Sequence, residues 1–121
     1  MMVKYRIYFY NSETGETVLP KNAVESDLLR SQTLFLSLKQ PDSFIGFETG
    51  NNTVIQLLLQ KNAMWWLELL DTSKPKAIGT QINIPMAERA IELIYSGDVN
   101  LIRFKAEYPF LQWKEVSSER S

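Results

Sequence analysis

Polar and apolar positions alternate from the start of the chain: Val3, Tyr5, Ile7 and Phe9 hold one parity and Lys4, Arg6, Tyr8 and Tyr10 the other. Successive side chains of a strand point to opposite faces, so this β-branched and aromatic run predicts a first strand over 3–10. Turn chemistry fills 11–15, and 16–19 is expected to form a short partner strand before Pro20. Asn22 followed by Glu25 forms a capping-box-like start, in which the Asn oxygen accepts an orphan amide and the Glu reaches back. A helix is expected from there, because Val24, Leu28, Gln32, Phe35 and Leu36 recur at helical spacing. Gln40-Pro41 sets its end, the residue before proline being pushed out of the α region. The apolar run 34–38 competes for strand.

From Phe44 the period changes to two. Residues 44–49, 53–60 and 64–70, separated by turns at 50–52 and 61–63, predict a three-stranded meander. The middle strand carries Val54, Ile55, Leu57, Leu58 and Leu59 on both parities, the pattern of a central strand covered on each side. The polar stretch 71–80 reads as a loop leading into a short strand at 81–84. Pro85 suits the first turn of a second helix, where its missing amide costs nothing. Met86, Ala90, Ile91, Ile94 and Tyr95 trace that helix's buried face, and Gly97 terminates it. Further extended pieces are expected at 100–105 and 110–116, and the apolar-poor end at 117–121 is expected to fray. The expected architecture is a single α+β domain over 1–116, mainly an antiparallel sheet of about five or six strands with two helices, without repeats or linkers.

Composition narrows the function classes. At 121 residues with 45 % apolar and 22 % charged residues, the chain falls in the range of one self-folding core. A net charge of -1 gives no electrostatic footprint for phosphates or an anionic membrane. There is no cysteine, which removes disulfides and thiolate chemistry and fits a reducing compartment. There is also no histidine, so the commonest general base and metal ligand is missing and no Ser-His-Asp or Cys-His arrangement can form. The N-terminus lacks a signal-type apolar core, and no apolar stretch approaches the roughly 20 residues that span a bilayer. A cytoplasmic protein with no cofactor and no resident metal is expected.

Few side chains suggest chemistry. Glu48, Glu68 and Asp71 fall on or beside neighbouring strands and offer an acid/base pair, against the simpler reading of solvent-facing carboxylates on an alternating sheet. Asp71, Thr72 and Ser73 lack the alternating ligands and central glycine of a calcium loop and read as a turn. Gly46, Gly50 and Gly79 match no phosphate-cradling spacing. The aromatic-basic run at 4–10 looks like a base-stacking platform, yet its rings divide between two faces, which disfavours nucleic acid. Trp65 and Trp66, being adjacent, must point to opposite sides of a strand. An indole left exposed by a sheet covered on one side is a natural interface anchor. Trp113 is a second such anchor.

The meander at 44–70 with Trp66-Leu67-Glu68 at its core, the Ala-centred helix at 84–97 closing on Gly97, and the terminal Trp113-Lys114-Glu115-Val116 together resemble the Imm1-like group of small immunity proteins. That group protects bacteria from polymorphic and contact-dependent toxins. The resemblance covers residues 44–116 and implies a non-catalytic inhibitor that folds in the cytoplasm and covers a toxin's active site. Its partner would be a protein, engaged through Trp66, Glu68, Glu48 and Asp71 by residue type. Two other functions compete: a structural or assembly subunit forming a homodimer through a sheet edge or tryptophan face, and a hydrolase using carboxylates with a divalent metal.

Overall fold

Hydrogen-bonding along one short strand organises the N-terminal third of the molecule. The computed structural model describes residues 3–50, 52–73, 76–96, 106 and 111–117. Strand β1 (Tyr5–Tyr10) pairs on one side with two small strands, β2 (Thr17–Val18) at its far end and β3 (Val24–Ser26) at its near end. On its other side β1 pairs with β4 (Phe44–Gly50). From β4 the sheet continues through β5 (Thr53–Leu59), β6 (Trp65–Asp71), β7 (Lys76–Ile82) and β8 (Lys114–Ser117). All pairings are antiparallel, and the order across the sheet is β2-β1-β4-β5-β6-β7-β8 with β3 beside β1. The chain is therefore an α+β domain with eight described strands and two described helices, α1 (Leu28–Ser37) and α2 (Ile84–Ile94).

The first helix starts later than its capping pattern predicts. Asn22 ends a 3-10 turn (Pro20–Asn22), and residues 24–26 join the sheet opposite Ile7, Arg6 and Tyr5. The bonding groups along the β1 edge outcompete an isolated helical turn, since a first turn fixes several residues for a single bond. Helix α1 then opens at Asp27, whose Oδ1 accepts from the Arg30 amide at 2.9 Å. The run at 34–38 continues the helix and its cap instead of forming a strand, with Phe35 and Leu38 in the core.

The stretch at 71–80 departs further from expectation, because residues 76–82 form a full strand. Gly79 made this segment look like a turn, yet it serves a side-chain contact. A Cβ built there would lie 2.5 Å from Cζ2 of Trp66, so the indole lies against the bare backbone of the neighbouring strand. Helix α2 follows with Pro85 in its first turn, as expected, and with Asn83 as its cap, Oδ1 accepting from the Met86 amide at 2.9 Å. Gly97 and the expected strand at 100–105 lie outside the described residues, as does most of the tail at 117–121.

Both helices pack on the same sheet face. Ile7, Phe9, Ile45, Phe47, Ile55 and Leu57 from the sheet meet Phe35 of α1 and Ala87, Ala90, Ile91 and Ile94 of α2 in one core. Trp65 belongs to this face, its ring 4.6 Å from that of Phe35. Trp113, half-buried, packs against the same core, so it is not an exposed anchor. Among the described residues no helix is long and apolar enough to cross a membrane.

Candidate partner-binding site on the second sheet face

Alternation along β4, β5 and β6 assigns the remaining side chains to the opposite face. Register then aligns them in rows across the sheet. One row runs Tyr8, Gly46, Gln56, Glu68, Gly79, Lys114 from β1 to β8. A second places Arg6 beside Glu48, then Val54, Leu70 and Ala77. A third runs Tyr10, Phe44, Leu58, Trp66, Gln81.

The two glycines shape the first row. Tyr8 lies across Gly46, where any Cβ would meet the phenol ring, and its hydroxyl reaches the next strand to donate to Gln56 Oε1 at 2.9 Å. Trp66 lies across Gly79 and directs its Nε1 toward Glu68 Oε1 at 3.4 Å. Phe44 packs edge-on to Tyr8 at 6.2 Å and tilted to Tyr10 at 5.9 Å, closing one end of the cluster with rings. The result is a half-buried surface with aromatic margins and carboxylates at its centre.

Electrostatics at this centre are lopsided. Burial pushes the Tyr8 phenol up to about 12, and the negative charges of Glu48 and Glu68 push in the same direction. Tyr8 is therefore a neutral donor at any physiological pH. Glu48 is the more telling group, because its Oε2 is sealed from solvent and has no hydrogen-bond partner among the described residues. Arg6 stands opposite it in the register, but directs a guanidinium N–H to the Ala23 carbonyl at 3.4 Å. A buried acceptor left without a partner is uncommon, and the penalty is about 1–3 kcal/mol or more for a charged group.

The structure thus brings together Trp66, Glu68 and Glu48, three of the four residues expected to meet a partner. Asp71 does not join them. It falls on the alternate parity at the end of β6, where its Oδ1 accepts from the Ser73 amide at 2.9 Å and the Ser73 hydroxyl at 2.6 Å. That is turn chemistry, as the sequence of Asp71, Thr72 and Ser73 suggested. Tyr8 and Gln56 were missed as members of the site. The available signal was Gln56 itself, a polar side chain amid the apolar residues of the central strand.

Among the described residues, no three acidic side chains gather closely enough to hold a metal ion. Compared with protein-family models, curated proteins and solved structures, the chain matches none.

Proposed function

We propose that this chain is a non-catalytic protein-binding domain, an immunity-type inhibitor that works in the cytoplasm by docking its second sheet face on a basic surface of a cognate bacterial toxin. The observation that carries the reading is Glu48 Oε2, an acceptor withdrawn from water with no hydrogen-bond partner among the described residues. A guanidinium or ammonium group that moves aside the side chains over this oxygen meets a carboxylate already partly withdrawn from water before binding. Charge pairs of this kind at tight inhibitor interfaces contribute about 1.5–7 kcal/mol of coupling. Trp66 and Phe44 supply apolar ground on the same sheet face, since aromatic side chains dominate such interfaces.

Co-expression with the protein encoded by the adjacent reading frame tests the proposal. The neighbour is expected to be toxic alone and harmless in the presence of this chain, and the two are expected to form a stoichiometric complex. Glu48→Gln, which keeps shape and removes charge, is expected to weaken the complex by about 30-fold or more, equivalent to about 2 kcal/mol or more. A neighbour that neither binds nor is neutralised defeats the proposal. So does a complex indifferent to Glu48→Gln.

A further inference from the structure

On the opposite side of the molecule, where α1 ends, lies an apolar pocket of about 410 Å³. Its floor is made by Phe35, Leu38, Leu59 and Trp65, all core residues, with the Phe35 and Trp65 rings 4.6 Å apart. Its rim is made in part by Leu36 and Ile84, which are 58 % and 47 % exposed, an unusual outlay of aliphatic surface at two neighbouring positions. The volume falls within the span of small-molecule sites, roughly 300–1,000 Å³.

The polar groups of the lining are one-sided. They are Lys39, Gln60 and Lys61, two cations and an amide, and among the described residues no carboxylate lines the pocket. Gln60 Oε1 accepts from Gln81 Nε2 at 2.8 Å, which draws that amide toward the docking face and leaves the two lysines as the polar groups at the mouth. Donors at the mouth and hydrocarbon below fit a ligand with an apolar body and an anionic head. We infer that this pocket is a binding site for a small amphiphilic monocarboxylate, a medium-chain aliphatic acid lying on Phe35 and Trp65 with its carboxylate between Lys39 and Lys61.

This site is independent of the docking face, because Trp65 and Trp66 point to opposite sides of the sheet. Occupancy of one does not require the other.

Isothermal titration calorimetry with decanoate below its micellar concentration tests the inference, with decanol and decyltrimethylammonium as comparators of matched chain. Decanoate is expected to bind saturably at one site, at least 10-fold more tightly than decanol, and the cationic amphiphile is expected not to bind. The double variant Lys39→Glu, Lys61→Glu alters two exposed side chains and is expected to remove the preference for decanoate over decanol. Leu36→Glu, at an exposed rim position, is expected to weaken decanoate by a further 10-fold or more relative to the native chain. Equal binding of decanoate and decanol overturns the inference. So does an absence of saturable binding, or a preference that survives reversal of both lysines.

Discussion

Removing a single hydroxyl from the helix side of the molecule is expected to cost this protein about 2 kcal/mol. Tyr95 caps α2, and its hydroxyl donates to the Ser26 carbonyl at 2.8 Å. The Ser31 hydroxyl lies 2.7 Å from the Tyr95 oxygen and 2.8 Å from that of Ser26. With Tyr95 donating to the carbonyl, its oxygen must accept from Ser31. The Ser26 hydroxyl, within reach of both Ser31 and the Asp27 carbonyl at 3.2 Å, completes a network that joins β3, α1 and α2. All three residues are buried, Ser31 completely. Tyr95→Phe keeps the ring that packs at 5.2 Å against Tyr5 and at 6.2 Å against Phe47, and deletes one donor and one acceptor. Each lost bond is worth about 1 kcal/mol, and the carbonyl and the Ser31 hydroxyl that lose it have no access to water, so the sum is about 2 kcal/mol. At about 2.1 cal/mol/K per residue over 121 residues, the melting temperature should fall by about 8 °C. Urea unfolding followed by circular dichroism gives the energy directly, with the slope unchanged. A loss below about 0.5 kcal/mol would refute the argument that these hydroxyls bind β3 and the two helices into one unit.

Other perturbations probe other parts of the structure. Gly79→Ala must displace the Trp66 indole and is expected to destabilise by about 1–3 kcal/mol, read by the same denaturation curves, whereas Gly15→Ala meets nothing within 4 Å and tests only backbone strain at a φ of +78°. Asp27→Ala removes the α1 cap and is expected to cost about 1 kcal/mol, which a comparison of urea midpoints would show. Ala63 holds a φ of 65°, so Ala63→Gly is expected to raise stability by about 0.5–1 kcal/mol and to lift the melting temperature. The native state holds the Tyr8 proton more tightly than the unfolded chain, whose value is 10.0, so the unfolded chain ionises first. Stability from this group is complete below pH 10 and lost as pH rises through about 12, and alkaline unfolding should be blunted in Tyr8→Phe. Burial raises Tyr5 and Tyr95 in the same direction, so the variant should retain part of the alkaline loss.

The meander was legible because strand-forming runs over 44–70 are punctuated by turn residues at 50–52 and 61–63, and the opposed directions of Trp65 and Trp66 followed from adjacency alone. The partition of Trp66, Glu68 and Glu48 onto one face follows from the same arithmetic once the register is known. Register is a tertiary property, and it brings Tyr8 across two strands to Gln56 where no local pattern would place it. The late start of α1 was illegible for a related reason. Asn22 and Glu25 carry a sound local signal, but residues 24–26 lie beside an open edge of β1 that satisfies their backbone better. In β7, Gly79 reads locally as a breaker, and only the Trp66 ring beside it explains why a strand needs a missing side chain there.

The central claim concerns what reaches Glu48, and a crystal structure of the complex with the proposed toxin partner tests it most directly. A lysine or arginine nitrogen of that partner within about 2.7–2.9 Å of the Glu48 carboxylate, with the side chains over it moved aside and Trp66 covered by the same surface, is the expected result. A partner seated elsewhere, with the Glu48 carboxylate receiving no donor from it, would contradict it.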